Sequence, residues 1–437
     1  MSLHVNSLFL FFLNASAEES HFRKSSQTKR VYARPGTRAL KGMIPAYSSF
    51  VVDEVLEGTS SCPQGWGKVH EGGVVCLSNT KITMNSPSNK EMLSFIPPDP
   101  LEYEYDFSNP PEVSFDLYTE PFIPHINARI AHGKRGRLWE SAEAYERGDR
   151  PNWRLKEERE YRFVDVVETE RGVVLERPNG KVTPVSEWYV YPVSQFFGRD
   201  LSVEPIPKGE LAAWVIEKDD APIFVSATNA EAPVYFAQFQ EAFNVYETDI
   251  ANWYGIPDLF GTGQDGYIQR KHIRLWEPAK IPVEVDDNNI WIDVHLPEQT
   301  LALYQGEKPL FVTLISSAKK GFSTPTGIFA LYSKATSWDL GSLPNAQEAY
   351  FMEHVPWVMH FFPRYALHSA FWHANFGIPS SHGCINMSPR DISYIFEKTQ
   401  PILPKGWWVI RHDDNDLGSV VRIRKGSTKL PDKRLKK

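Results

Sequence analysis

The sequence has no excess of basic residues, no long apolar run and only three cysteines. With 47 Lys and Arg against 54 Asp and Glu, its formal net charge of -7 argues against a nucleic-acid-binding protein, which normally carries a dominant basic face. No stretch approaches the roughly 20 apolar residues that a membrane-spanning helix needs. Hydrophobic residues still make up 42% of the chain, and aromatic residues 13%, which is enough for buried cores and excludes a disordered chain.

The distribution of turn-forming residues predicts the fold class. The 33 prolines and 27 glycines are scattered among short runs of Val, Ile, Tyr and Trp, a pattern that favours many short strands over long helices. At about 150 residues per domain, a length of 437 residues suggests roughly three domains. We therefore predict a multidomain, mainly β protein.

The three cysteines divide into a close pair and a single residue. Cys62 and Cys76 bracket a glycine-rich loop, whereas Cys384 stands alone much further along the chain. This arrangement predicts a local disulfide and one free, reactive thiol, with two reduced, buried cysteines as the alternative for the pair. Because disulfides persist in oxidising compartments, a Cys62–Cys76 bond would indicate an exported protein.

Residues 1–20 are similar to a signal peptide. An apolar run at 8–13 is followed by Ala15-Ser16-Ala17, which fits a small-residue cleavage site, although no Lys or Arg precedes the run. Together with the cysteine pair, this leader predicts a protein located in the periplasm or cell envelope. Whether the leader is cleaved stays open at this point.

The segments before residue 285 are predicted to be small β modules. Short strand-like runs in residues 28–97 predict a barrel-like sheet, and the Y-A-R-P-G segment at 32–36 with G-W-x-x-V at 65–69 resembles bacterial SH3-like domains. Residues 206–280 resemble a second SH3-like module. Residues 98–205 are expected to be β-rich and show no recognisable chemistry.

The last predicted unit covers residues 285–412. A hairpin at 291–304 and an apolar strand at 309–317 are followed by a helix that begins after Ser388, a suitable N-cap, with Pro389 in its first turn. Ile392, Ile395 and Phe396 give this helix an apolar face. Residues 413–437 are expected to be a disordered basic tail.

The central motif is Ser381-His382-Gly383-Cys384-Ile385-Asn386, with His368 upstream. Together with T-P-T-G-I-F at 324–329 and W-H-A-N-F-G at 372–377, it resembles the signature of bacterial L,D-transpeptidases of the YkuD type. The resemblance covers about residues 285–412 and implies a sandwich-like catalytic domain with a short helix after the cysteine. The gap from His368 to Ser381 is slightly shorter than the usual spacing in that family.

The resemblance implies catalytic roles for five residues. Cys384 is the expected nucleophile, and His368 is its base or ion-pair partner. The backbone carbonyl of Ser369 is expected to hold the imidazole in one tautomer. The backbone N–H groups of Gly383 and Cys384 are candidates for stabilising an oxyanion, and His382 is expected to position or polarise the substrate.

Four further residues are expected on the substrate side of the site. We expect Ser381 and Asn386 to shape the loop through side-chain hydrogen bonds. We prefer His368 to His373 as partner of the cysteine, since His373 lies too near Cys384 in sequence. The predicted substrate-binding residues are therefore His373, Ser381, Asn386 and Trp372.

The function implied by the resemblance is cross-linking of peptidoglycan through a thioester. A stem tetrapeptide would acylate Cys384 and release its terminal D-Ala, and an amine of a neighbouring stem would resolve the thioester. We expect no cofactor and no metal, a monomer with no nucleic-acid partner, the cell wall and its stem peptides as partners, and carbapenem-type β-lactams as inhibitors. The N-terminal modules are expected to hold the enzyme to the wall or to restrict access to its site.

Several alternatives remain open from the residues alone. A metal site of His368, His373, His382 and Cys384 lacks the regular spacing of zinc ligands. An inert, buried Cys384 is also conceivable, because free cysteines are often buried. The chain could instead be a non-catalytic wall-binding protein, an enzyme that attaches a protein to the wall, or a carboxypeptidase that uses water as acceptor. Carbapenems should acylate Cys384 in an enzyme and not in a pure binder.

Overall fold

The computed structural model describes residues 21–82, 123–412 and 418–426, apart from positions 47, 71, 124, 158, 230, 231, 287, 344, 345, 347 and 405. The predicted leader at 1–20 lies outside these residues. The chain is mainly β, as predicted, and divides into two compact units, residues 1–90 and 91–437. Among the helices of the described part, none is long and apolar enough to cross a membrane.

The first unit is an antiparallel sheet with a small core. Its strands follow the order β3-β2-β6-β5-β4-β1-β7. The Cys62–Cys76 disulfide predicted from the sequence is confirmed and packs beside Trp66 and Val74. The strands are β1 (His21–Ser25), β2 (Lys29–Tyr32), β3 (Leu40–Ile44), β4 (Ser49–Leu56), β5 (Trp66–Val69), β6 (Val74–Cys76) and β7 (Thr80–Ile82).

The second unit begins with short strands around an aromatic cluster. Tyr161, Phe163 and Trp188 form its buried centre, in edge-to-face contacts that aromatic rings favour. The elements are β8 (Ile126–Ile130), β9 (Arg137–Leu138), α1 (Ala142–Glu146), β10 (Trp153–Arg154), β11 (Glu160–Phe163), β12 (Asp165–Thr169), β13 (Gly172–Glu176), β14 (Val182–Pro184), β15 (Trp188–Val190) and β16 (Arg199–Asp200).

A β module at residues 211–275 follows in the same unit. Its sheet has the order β22-β21-β20-β17-β23, and a 3-10 helix at Arg270–His272 precedes the last strand. Its likeness to SH3 domains stays a prediction. The strands are β17 (Leu211–Val215), β18 (Ala221–Ile223), β19 (Tyr235–Ala237), β20 (Ala242–Glu247), β21 (Trp253–Ile256), β22 (Gly266–Gln269) and β23 (Ile273–Leu275).

The region with the cysteine motif contains two sheets with a shared core. One sheet has the strand order β16-β26-β25-β24-β33-β27. The other contains the order β11-β29-β28-β32, and β30 pairs with β29 while β31 pairs with β30. The elements are β24 (Ile290–His295), β25 (Thr300–Gln305), β26 (Lys308–Leu314), β27 (Gly327–Ala330), β28 (Ser333–Gly341), β29 (Phe351–Phe362), β30 (Tyr365–Ser369), β31 (Ile385–Met387), α2 (Pro389–Lys398), β32 (Val409–Arg411) and β33 (Val420–Arg424).

Side chains from both sheets and from α2 meet in one apolar cluster. Leu303 and Phe329 come from the first sheet, Met359 and Leu367 from the second, and Ile392 from the helix. Each is removed from water, and burial of apolar side chains is the main stabilising contribution to folding. The core thus fixes β30 and β31, the strands on either side of the cysteine loop.

Helix α2 begins where the sequence predicts it. The Ser388 hydroxyl accepts a hydrogen bond from the Asp391 backbone N–H at 3.1 Å, and Pro389 occupies the first turn. The buried Asp391 carboxyl accepts from Gly198 N–H at 2.8 Å, and burial raises its pKa to about 7. At the other end, the Lys334 ammonium donates to the carbonyls of Phe396 and Thr399, satisfying groups that a helix C-terminus leaves unpaired.

The predicted basic tail is wrong for residues 420–424. This segment is buried as β33 and pairs in parallel with β24. The Asp293 carboxylate accepts hydrogen bonds from Arg422 Nε at 2.6 Å and from Arg424 Nε at 2.9 Å. Because the arginine charges meet a buried carboxylate, a strand that carries two of them can lie inside the sheet.

Candidate active site

A groove of about 490 Å³ lies in front of Cys384. Its walls combine apolar side chains, including Leu340 and Met352, with polar side chains. Six of the residues predicted for the site line this groove: His368, Trp372, Ser381, His382, Cys384 and Asn386.

The β30–β31 pairing places the nucleophile candidate. These strands run in parallel, with Leu367 opposite Ile385, so Cys384 enters the groove directly before β31. Cys384 is partly exposed as a residue, and its Sγ lies 3.8 Å from the Arg364 carbonyl oxygen. Desolvation raises the pKa of the Cys384 thiol, while a backbone hydrogen bond from Ala366 and the charge of Arg364 act in the opposite direction.

His368 lies on the neighbouring strand with only 3% of its surface exposed. Its Nδ1 is 2.9 Å from the Ser369 carbonyl oxygen, and because a carbonyl only accepts, Nδ1 carries the proton. The lone pair is then on Nε2, the atom that a general base uses. Burial lowers the pKa of His368 to about 4, although the Ser369 carbonyl raises it in part.

These shifts define the resting state of the pair. A thiol with a raised pKa and an imidazole with a pKa of about 4 are both uncharged near neutral pH. If such a thiol attacks a carbonyl, a neutral imidazole in the same groove can accept its proton, which is general-base activation.

The backbone conformation and the close packing at position 383 require a glycine. Its φ is 139°, and a Cβ there would lie 2.7 Å from Tyr365 Cε1 and 3.0 Å from the Ser323 carbonyl oxygen. Its N–H donates to Ser381 Oγ at 3.0 Å, while the Ser381 hydroxyl donates to the Cys384 carbonyl at 2.6 Å. Ser381 therefore shapes the loop, and Gly383 could serve as an oxyanion donor only after releasing Ser381, so that role stays a prediction.

His382 belongs to a charged and aromatic cluster at the groove rim. Its Nε2 lies 2.8 Å from Glu348 Oε2, which also accepts from Lys319 Nζ at 2.6 Å. Its ring stacks on Tyr350 at 5.1 Å and meets Phe322 edge-on at 4.6 Å. These contacts hold the imidazole at the mouth of the groove, and its predicted action on the substrate remains a prediction.

His373 is not among the described residues that line the groove. Its Nδ1 accepts from Asn375 N–H at 3.2 Å, and its Nε2 lies 3.0 Å from the Asn386 side-chain amide. The atom of Asn386 that faces Nε2 is Nδ2; since Nδ1 already accepts, a neutral ring carries its proton on Nε2 and requires the Asn386 amide to be turned so that its oxygen faces the ring. Burial lowers the pKa of His373 to about 4, so the ring is a neutral support behind Asn386. Substrate contact by His373 stays a prediction.

Sequence reasoning missed Lys319, Glu348, Tyr350 and Arg364. Glu348 and Tyr350 lie in the connection between β28 and β29, and that hairpin brings them over Cys384. No motif marks them, because their relation to the cysteine loop arises only from strand pairing. Desolvation raises the pKa of the Tyr350 phenol, and the nearby Cys384 sulfur adds to this increase.

The metal alternative finds no geometric support in the described part of the chain. No group of three or more His, Cys, Asp or Glu side chains among those residues is placed to hold a metal ion. His373 and His382 are instead engaged by Asn386 and Glu348. Partial exposure of Cys384 on an open groove also argues against an inert, buried thiol.

Comparison with known families identifies this region. Residues 289–423 match YkuD, the L,D-transpeptidase catalytic domain. This YkuD-type region contains His368 and the whole cysteine motif, and it extends into β33, beyond the boundary predicted from the sequence. A search of curated proteins found no similar sequence.

Several solved structures are similar over part of the chain. The Ldtfm-avibactam carbamoyl enzyme is 23% identical over 32% of this chain and 50% of its own, with a TM-score of 0.26. The E. faecium L,D-transpeptidase catalytic domain is 23% identical over 31% of this chain and 98% of its own, with a TM-score of 0.25. An L,D-transpeptidase from Mycobacterium smegmatis is 17% identical over 41% of this chain and 81% of its own, with a TM-score of 0.26. The match thus spans half the length of the first protein.

Proposed function

We propose that this chain is a peptidoglycan L,D-transpeptidase that works through a thioester on Cys384. The observation that carries the proposal is the shared groove of Cys384 and His368, with His368 Nδ1 held by the Ser369 carbonyl at 2.9 Å. The match of residues 289–423 to the YkuD catalytic domain supports the same chemistry. A nucleophile, a base and a group that orients the base are the parts that acyl transfer requires.

The first half-reaction forms the acyl-enzyme. Cys384 Sγ attacks the carbonyl of the donor peptide while its proton passes to His368 Nε2. The imidazolium then gives this proton to the leaving amine, so that the terminal D-Ala departs as the carbon–nitrogen bond breaks. The Cys384 thioester and a neutral His368 remain.

The second half-reaction transfers the acyl group. An amine of a neighbouring stem attacks the thioester, and His368 Nε2 accepts the proton that the amine loses. The carbon–sulfur bond breaks, and the same proton returns to Cys384 as a thiol. The two half-reactions share one covalent intermediate, and ping-pong kinetics are therefore expected.

Localisation belongs to the same proposal. The Cys62–Cys76 disulfide supports an oxidising compartment such as the periplasm or cell envelope. Carbapenem-type β-lactams are the proposed inhibitors, because the similar structures include an E. faecium L,D-transpeptidase catalytic domain acylated by ertapenem. Wall attachment through the N-terminal modules is the accompanying proposal for the rest of the chain.

Mass spectrometry with ertapenem tests the proposal directly. The intact wild-type chain should gain the mass of one ertapenem on a peptide that contains Cys384, and Cys384→Ala should gain none. Defined muropeptides should then yield a cross-linked product with release of D-Ala. A folded wild-type chain that is neither acylated nor active on muropeptides would favour a non-catalytic wall-binding protein. Release of D-Ala without cross-linking would instead indicate a carboxypeptidase.

A further inference from the structure

The segment 374–378 joins His373 to the cysteine loop and contains no strand or helix. Side chains of the β module at 211–275 bind its backbone. Gln240 Nε2 donates to the carbonyls of Ala374 at 2.8 Å and Phe376 at 3.1 Å, and Arg274 Nε donates to that of Gly377 at 3.1 Å. Three carbonyls of this segment therefore depend on the module for their hydrogen bonds.

Two further contacts belong to this interface. Lys218 Nζ donates to Asn375 Oδ1 at 2.7 Å. Gly377 has a φ of 95°, and a Cβ there would lie 2.9 Å from Ile216 Cγ2. A larger residue could not sit so close to the end of β17, and so the module touches every residue from Ala374 to Gly377.

The other side of the segment leads to the motif. Asn375 N–H donates to His373 Nδ1, and His373 Nε2 meets the Asn386 side chain at 3.0 Å. Asn386 lies opposite His368 in the parallel pairing of β30 and β31. A continuous set of contacts thus runs from the module through Asn375 and His373 to the strand after Cys384.

Gln240 carries a backbone feature that points to function. Its φ is 68°, in the left-handed region that residues other than glycine rarely adopt. Its N–H donates to the Val215 carbonyl at 2.8 Å, which fixes the turn to β17. Unfavourable backbone conformations persist where the surrounding structure holds them, and they concentrate at functional sites. Here the conformation directs the Gln240 amide at two carbonyls of the segment.

We propose that Gln240, Lys218 and Arg274 are positioning residues for the cysteine site. The module at 211–275 supports segment 374–378, and through His373 it sets Asn386 and the loop that carries Cys384. The proposal rests on the proposed function, since it assigns the module a role in acyl transfer. It makes the module a part of the catalytic apparatus in addition to any role at the wall.

Gln240→Glu is the sharpest test. The substitution keeps the shape of the side chain but replaces two N–H donors by oxygens that face carbonyl oxygens. We expect the second-order rate of Cys384 acylation by ertapenem to fall about ten-fold or more, because small misplacements of reacting groups are costly. Gln238→Glu adds the same charge in the same turn on an exposed side chain and should keep the wild-type rate.

The lysine gives a second, milder test. Lys218→Met should slow acylation about three-fold, and Lys218→Arg should restore the rate, because it restores a donor to Asn375. Lys271→Met removes an exposed charge of the same module and serves as the control. The loss should appear in the rate constant of acylation at saturating ertapenem, whereas melting temperature and ertapenem affinity should stay near wild-type values.

The outcomes separate the two proposals. A wild-type chain that ertapenem does not acylate contradicts the proposed function itself. Wild-type acylation together with unchanged rates in folded Gln240→Glu and Lys218→Met overturns the positioning role. If Gln240→Glu does not fold, Lys218→Met decides, since its exposed side chain can be replaced safely. A lower melting temperature with an unchanged acylation rate indicates a structural contact alone, which also overturns the proposal.

Discussion

Replacement of Gly383 by alanine should show how strictly the loop geometry controls the thiol. A residue other than glycine at a φ of 139° carries a backbone cost of about 1–3 kcal/mol. The new Cβ would also lie 2.7 Å from Tyr365 Cε1 and 3.0 Å from the Ser323 carbonyl, and overpacking of this kind costs about 1–3 kcal/mol more. The total is about 2–6 kcal/mol, concentrated next to Cys384.

Such a cost can be relieved only by moving the loop or the Tyr365 ring. Movement of the loop breaks the hydrogen bonds that Ser381 makes to Gly383 and Cys384. We therefore expect Gly383→Ala to slow acylation of Cys384 by ertapenem about 100-fold, the effect of a misplacement of about 1 Å. Stopped-flow fluorescence or time-resolved mass spectrometry would measure this rate.

Gly321→Ala is the matched control. Gly321 also has a positive φ, 92°, but a Cβ there would meet no atom within 4 Å. This variant carries the backbone cost without the clash, so its acylation rate should stay within about three-fold of wild type. If both alanine variants react and melt alike, the close approach at Gly383 does not matter and the reasoning fails.

Four further predictions concern charge and covalent structure. Since burial lowers the pKa of His368 to about 4, the acylation rate should be flat from about pH 5 to 8 and fall only below it, as the imidazole binds a proton. Ultraviolet absorbance should detect no Cys384 thiolate at neutral pH, because burial raises its pKa. Asp293→Asn should destabilise the YkuD-type region by about 3–5 kcal/mol, since two buried arginines lose their carboxylate, as a lower melting temperature would show. Replacing Cys62 and Cys76 by serine should cost the first unit about 3 kcal/mol, the value for a loop of about 15 residues, measured by urea unfolding.

Each of these predictions has a clear contrary result. An acid limb near pH 6.5 would indicate an imidazole with an ordinary pKa, and a thiolate signal at pH 7 would indicate a Cys–His ion pair instead of a neutral pair. Asp219 is exposed, so Asp219→Asn is the control for Asp293→Asn. If the two variants melt at the same temperature, the result contradicts a stabilising buried ion pair at Asp293. If the urea midpoint of unfolding is the same with and without the disulfide, the stability of the first unit does not depend on this bond.

The site could be predicted from the sequence where its parts are local. Ser381, Gly383 and Cys384 lie within one turn, and their order alone indicates a thiol next to a close backbone approach. His368 and Ser369 could be added because the resemblance to the YkuD type implies an upstream histidine and a backbone carbonyl that holds it, and their catalytic roles stay predictions. Glu348 could not, since only the β28–β29 hairpin brings it to the groove.

The fold shows the same division. Alternating short strands and turns predicted a mainly β protein, and Ser388 predicted the start of α2, since caps and turns are local signals. The end of the YkuD-type region was wrong, because the basic residues from Lys425 onward suggested a solvated tail, and Arg422 and Arg424 were included in it. Their partner Asp293 lies 129 residues before Arg422, a separation at which charge patterning carries no information.

The placement of β33 has a consequence for synthesis of the protein. β33 lies between β24 and β27 in the six-stranded sheet of the YkuD-type region. This sheet therefore stays divided until residues 420–424 have been synthesised. During elongation, the nascent YkuD-type region exposes an unpaired edge on each side of the missing strand, and open edges invite pairing with other chains. Almost the whole region must therefore be synthesised before the sheet that supports the Cys384 site can be complete.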